Sequence, residues 1–127
     1  MSYTIVLPYP VSTNLMWRHF RGRPILSPKG RAYKALAAQI ATDAGVTPYV
    51  GDVAIDVILH AKKTKKPTGQ RPRCIDLSNS LKVAEDSLIG IAFVDDAQTR
   101  QISMRYGEPV IGGALVITVS EIIFPAS

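Results

Sequence analysis

Between positions 53 and 60 the chain alternates, with Val53, Ile55, Val57 and Leu59 on one side and Ala54, Asp56, Ile58 and His60 on the other. A period of two sends successive side chains to opposite faces, so this segment predicts a strand with one face in the core. Residues 3–7 form a shorter β-branched and aromatic run closed by Pro8 and Pro10, again a strand with a rigid exit. Residues 98–106 and 114–124 read as two more strands, joined through "GEPVIGG" as a loop or hairpin. Two stretches change period. Ser27-Pro28 starts the first, with Ser27 as N-cap and Pro28 at the first helical position. Ala32, Leu36 and Ile40 then recur at helical spacing, with Tyr33 and Ala37 beside them, until Gly45. The second helix is expected from about Asp76 to Ile89, stopped by Gly90, with Leu77, Leu81, Ala84 and Leu88 as its core stripe. Ser78, Lys82, Glu85 and Asp86 fall on its opposite side.

Residues 12–23 show no sustained period and predict a loop, with a turn at "RGRP" leading into an extended piece at 24–26. The order strand, helix, strand, helix, strand, strand points to a small α+β (α/β) fold, a mixed β-sheet with two helices packed on one face. With 127 residues, 46% of them hydrophobic, the chain suits a single domain over 1–127. No apolar run is membrane-length and no leader precedes the first strand, so a soluble, cytoplasmic protein is expected. The lone Cys74 fits a reducing compartment and gives no thiolate cluster for a metal.

Charge sharpens this picture. Residues 17–34 carry Arg18, Arg21, Arg23, Lys29, Arg31 and Lys34, and residues 61–73 carry Lys62, Lys63, Lys65, Lys66, Arg71 and Arg73. Neither segment has an acid, so 12 of the 15 basic residues sit in two acid-free stretches. The acids lie elsewhere, Asp76, Glu85, Asp86, Asp95 and Asp96 among them. Two basic arms around an acidic centre form the footprint of a polyanion partner. Trp17 and Phe20 are interleaved with Arg18 and Arg21, as stacking and phosphate contact require, although the same rings could equally pack into the core.

Asp76 stands where an N-cap is needed. Asp95 and Asp96 are adjacent carboxylates, costly unless solvated or neutralised by a cation such as Mg²⁺. Carboxylates, a divalent metal and surrounding Lys and Arg are the parts of metal-assisted phosphodiester hydrolysis. A helix leading into the turn at 95–96 could return Asp96 towards Asp76. Glu85 and Asp86 lie about two turns, roughly 10 Å, along the helix from Ser78.

The segments "YTIVLPYPVSTN", "RHFRGRPILSPKGRAYK", "IDLSNSLKVAEDSL" and "FVDDAQ" together resemble the RusA family of Holliday junction resolvases, over nearly the whole chain. The resemblance implies a homodimer that uses Mg²⁺ or Mn²⁺ to nick opposed strands of a four-way junction, in a bacterial or phage-infected cell. The family motif runs Asp-Leu-Asp-Asn, two further residues, then Lys, followed by an Asp-Asp-Ala-Gln turn. Matched residue by residue, it implies Asp76 and Asp96 as catalytic metal ligands, Asn79 as the motif asparagine and Lys82 as the catalytic lysine, with Asp95 assisting. Ser78 takes the place of the second motif aspartate. A hydroxyl lacks the charge of a carboxylate, so three accounts stay open: weaker metal binding through Asp76 and Asp96, help from Asp95, or a chain that binds branched DNA without cutting. A basic domain for RNA or single strands is a further alternative.

Overall fold

The computed structural model describes residues 1–63 and 74–123. Four strands make the main sheet: β1 (Ser2–Leu7), β4 (Val53–His60), β5 (Thr99–Tyr106) and β6 (Ala114–Glu121), in the spatial order β1-β6-β4-β5. Two long helices, α2 (Pro28–Asp43) and α3 (Leu77–Leu88), join them, preceded by the single turn α1 (Thr13–Met16). The expected mixed sheet with helices is thus present. No helix among the described residues is long and apolar enough to cross a membrane.

Alternation decides which face is covered. Ile5 and Leu7, then Val53, Ile55, Val57 and Leu59, then Leu115, Ile117 and Val119 are all buried on one side. They meet Tyr33, Ala37 and Ala41 of α2, Val83, Ala84 and Leu88 of α3, and the fully buried Phe93. Each large apolar side chain withdrawn from water contributes about 1.5–3 kcal/mol, so this layer is the main source of stability. The opposite face carries polar contacts such as Thr4 to Thr118, whose hydroxyls lie 3.0 Å apart.

Four expectations change. Residues 12–23 are not one loop, since they hold α1 and the strand β2 (Trp17–Phe20), which pairs antiparallel with β3 (Arg23–Leu26). The hairpin turns on Arg21 and Gly22, both at positive φ (51° and 75°), the geometry that matches strand twist. The turn falls where "RGRP" predicts it, although arginine is an uncommon residue at positive φ.

In α2 the buried positions are Gly30, Tyr33, Ala37 and Ala41, while Leu36 is 44% exposed. The helix meets the sheet through its small residues because they permit close approach, and Tyr33 adds a hydrogen bond from its hydroxyl to Pro8 O at 2.7 Å. In α3 the fully buried set is Ser80, Val83, Ala84, Ser87 and Leu88, with Leu77 and Leu81 only at the margin of the core. Ser80 can be buried because its hydroxyl donates to Leu77 O at 2.7 Å.

Finally, β5 and β6 do not pair with each other. β5 runs parallel to β4 and β6 antiparallel to it on the other side, so residues 107–113 cross β4 and form no hairpin between neighbours. The cause is the helical crossover: β4, α3 and β5 form a βαβ unit, which makes its two strands parallel. β5 is left at the sheet edge, where Ile102, Met104 and Tyr106 are 47%, 40% and 48% exposed.

Candidate active site

β1 is antiparallel to β6 and β6 to β4, while β5 is parallel to β4; strands β1, β4 and β5 therefore run the same way. Their C-terminal ends share one edge of the sheet. Tyr9 follows the first, Lys62 the second, and Tyr106 ends the third. The chain entering α3 meets this edge. Ile75 N–H donates to the Tyr9 hydroxyl at 2.9 Å, and the Tyr106 hydroxyl donates to Ile75 O at 3.4 Å.

Asp76 comes next and caps α3. Its Oδ1 accepts from the Asn79 N–H at 2.7 Å and from the Ser78 hydroxyl at 3.1 Å. The cap satisfies one of the orphan donors of the first turn and places a carboxylate at the positive end of the helix dipole. Ser78 is turned towards Asp76 by the same contact. Asn79, half-buried, has interactions of its own beyond this cap.

The second acidic group lies at the turn before β5. Asp95 opens a 3-10 turn, Asp96–Gln98, by accepting from Ala97 N–H at 3.3 Å. Gln98 closes the capping box: Oε1 accepts from Val94 and Asp95 N–H at 2.7 and 2.8 Å, while Nε2 donates to Tyr49 O and Gly51 O at 2.8 and 2.7 Å. Four hydrogen bonds make Gln98 the pin of the turn, and so of Asp96.

A hydrogen bond between the two acids pushes the Asp96 carboxyl above the ordinary range and Asp95 below it. Lys82 opposes the rise at Asp96, and it also opposes that at Glu85. Glu85 is raised first by burial, then by the neighbouring charges of Asp96 and Asp86.

Asp76 thus opens α3, and Lys82 and Glu85 on the same helix share their charge environment with Asp96. Glu85, about two turns from Ser78 along the helix, lies three residues from Lys82 and shares its charge environment with Asp96. Tyr9, Tyr106 and Gln98 belong to the site by tertiary contact alone. Among the described residues no three His, Cys, Asp or Glu gather as a metal cage. Hard oxygen donors without nitrogen or sulfur nevertheless suit Mg²⁺, which takes one or two carboxylates and fills its shell with water and phosphate oxygens.

The basic residues divide likewise. Arg18, Arg21 and Arg23 are exposed along the β2–β3 hairpin, with Phe20 59% exposed beside them and the Arg21 guanidinium 5.3 Å from its ring centroid. Trp17, at the hairpin root, is half-buried, and its indole N–H donates to Asp86 Oδ2 at 3.1 Å. Lys34 donates to the carbonyls of Asp86 and Ile89 at 2.8 and 3.2 Å, capping the end of α3, and burial lowers its pKa. Lys62 and Lys63 are exposed after β4. Lys65, Lys66, Arg71 and Arg73 lie outside the described residues.

Residues 8–120 match the family model for endodeoxyribonuclease RusA. The chain is 32% identical over 121 residues to the crossover junction endodeoxyribonuclease RusA of Escherichia coli strain K12, covering 94% of this chain and 95% of that one. It is 31% identical over 121 residues, with the same coverage, to the crossover junction endodeoxyribonuclease of Enterobacteria phage 82.

Proposed function

This chain belongs to the RusA family of endodeoxyribonucleases, and from that premise we propose that it resolves four-way DNA junctions by paired, metal-dependent nicks. The observation that carries the reading is the course of α3. One helix starts at Asp76, bears Lys82 and lies against Asp96, while its far end anchors the basic hairpin through Asp86. Hydrolytic groups and phosphate-binding groups are thereby held in one frame.

In this reading Asp76 and Asp96 hold Mg²⁺ or Mn²⁺, with Asp95 tuning Asp96 through their shared hydrogen bond. Both described bonds to Asp76 fall on Oδ1, and a carboxylate has acceptor capacity for a cation as well. When bound, the metal supplies an activated water and offsets charge on the transition state. Lys82 is exposed, and its ammonium balances the site's acids and faces incoming phosphate.

Arg18, Arg21 and Arg23, with Lys62, Lys63, Lys65, Lys66, Arg71 and Arg73, neutralise the DNA backbone. Phe20 stacks on an unpaired base at the branch, and Trp17 holds its hairpin in place. Two such sites in a homodimer match the near two-fold symmetry of a four-way junction. The setting is the cytoplasm of a bacterium, alone or infected by phage.

The Ser78 hydroxyl turned onto Asp76 favours a second reading, a junction-binding chain whose cutting is impaired. One assay separates them. Purified protein is incubated with a mobile four-way junction in Mg²⁺ or Mn²⁺, alongside Ser78→Asp and Asp96→Asn. Cutting by the parent that is lost in Asp96→Asn supports the nuclease. Binding without cutting, with activity gained in Ser78→Asp, supports the second reading. Preference for duplex RNA at matched salt sinks both.

A further inference from the structure

Ile75 has both of its backbone polar groups taken by phenols. The Tyr9 hydroxyl accepts its N–H at 2.9 Å, and the Tyr106 hydroxyl reaches its carbonyl at 3.4 Å. Those tyrosines are 97 positions apart in sequence, Tyr9 just after β1 and Tyr106 at the end of β5, the two edge strands of the sheet. They meet only because β1 and β5 run in the same direction. The carbonyl of Ile75 is half of the peptide unit that leads into Asp76, so holding it fixes where the cap residue begins.

The Tyr9 ring is seated with care. A Cβ on Gly113 would come within 2.7 Å of Tyr9 Cδ2, and Gly113 has φ of +70°, so only glycine leaves room for the ring. The Lys62 ammonium lies 5.2 Å from the centroid of the same ring. Tyr106 is within electrostatic reach of Cys74, Asp76 and Tyr9. Phenylalanine would fill both places as well, and the hydroxyls add little to the core. Their use lies in the two hydrogen bonds to one residue.

We propose that Tyr9 and Tyr106 are positioning residues that clamp Ile75 and thereby set the Asp76 carboxylate for metal binding. The metal part of this rests on the nuclease reading given above; the clamp itself does not. An aspartate at the end of a long connection needs such a constraint. Its cap alone fixes one oxygen against Asn79 and leaves the approach of the chain undetermined. Two phenols on a finished sheet edge supply a fixed reference for the residue before it. Groups that orient a ligand in this way change metal affinity by about 10–100-fold when removed.

The test uses the full chain and the variants Tyr9→Phe, Tyr106→Phe and the double variant. Backbone hydrogen exchange, followed by NMR in EDTA, reads the clamp without any metal. Exchange at the Ile75 amide should rise about tenfold or more in Tyr9→Phe. In the double variant, exchange at Asn79, the donor to Asp76, should rise several-fold, with the Val57 amide unchanged as the control for global stability.

Calorimetric titration with Mn²⁺ alone should then show affinity about tenfold weaker in the double variant, and excess Mn²⁺ should restore cutting to the parental rate. Unchanged exchange at Asn79 in the double variant overturns the clamp, whatever the metal does. Faster exchange with Mn²⁺ affinity equal to the parent's, both measurable, overturns its role at the metal. A parent that binds no Mn²⁺ overturns that role too and takes the metal-dependent reading with it, while the exchange result still decides whether the clamp exists.

Discussion

The indole N–H of Trp17 donates to Asp86 Oδ2 at 3.1 Å, tying the root of the β2–β3 hairpin to the far end of the helix that Asp76 begins. This contact links the hairpin to the helix that carries Lys82 and begins at Asp76. Trp17→Phe keeps most of the packing but leaves the half-buried Asp86 carboxylate without that donor. The expected cost is about 1–2 kcal/mol, or roughly 4–6 °C in Tm. Thermal melting checks it, and a gel-shift titration should show weaker junction binding at unchanged net charge.

At the hairpin tip, Arg21 and Arg23 are exposed and free of nearby acids in sequence. If they contact phosphate, the double variant Arg21→Ala/Arg23→Ala lowers junction affinity and reduces the slope of log K against log salt by about two. Phe20→Ala should instead leave the slope unchanged while weakening binding by about 1–3 kcal/mol, the worth of one stacked base. Titrations at several salt concentrations separate the two effects.

If Asp96 holds the metal as proposed, Asp96→Asn should reduce cutting by more than about a hundredfold, with binding in EDTA nearly unchanged, because the change keeps the side chain's shape. Ser78→Asp replaces a hydroxyl that now leans on Asp76 with a second carboxylate. It is expected to tighten Mn²⁺ binding by about tenfold, measured by calorimetry.

Burial and the charges of Asp96 and Asp86 hold the Glu85 carboxyl above its ordinary value of 4.5. Between that value and the raised folded one, the folded chain binds more protons than the unfolded chain, so stability falls as pH climbs through this window. At neutral pH the charge on Glu85 therefore costs stability. Glu85→Gln should raise Tm at pH 7.5 by about 1–2 °C in EDTA, the gain being small because the group is partly solvated. Melting at pH 4 should show the two proteins converging.

Gly30 packs where α2 crosses the end of α1, and a methyl group there would run into the Met16 carbonyl. Backbone cannot step aside as a side chain can. Gly30→Ala is expected to cost about 2–4 kcal/mol despite the higher helix propensity of alanine, readable as a lower urea midpoint.

Strands and helix ends were legible because their signals are local. The alternation at 53–60 marks β4 to the residue, Ser27-Pro28 opens α2, and Asp76 and Gly90 bracket α3. What could not be read is contact between distant elements. The close approach of α2 through Gly30, Ala37 and Ala41 inverts the rule that the largest apolar residues face inward, leaving Leu36 at the surface. Strand order decides that residues 107–113 cross β4, and no pattern within those residues carries that order. At the candidate site, Asp76, Lys82 and Asp96 stood out by motif. Tyr9 and Tyr106 did not, since a phenol gripping a backbone group leaves no spacing to find. Glu85 was visible on the helix, but the charge it shares with Asp96 depends on the turn that returns to it.

The pairing of β1 with β6, from Ser2 opposite Ser120 to Leu7 opposite Leu115, has a consequence for folding. Among the described residues, β6 follows the other strands of the sheet in sequence, and β1 is hydrogen-bonded into the sheet through β6 alone. Until β6 docks, β1 lacks its partner strand. Contacts this far apart in sequence make folding slow. In the proposed reading, the clamp of Tyr9 and Tyr106 on Ile75 is therefore among the last features of the fold to form.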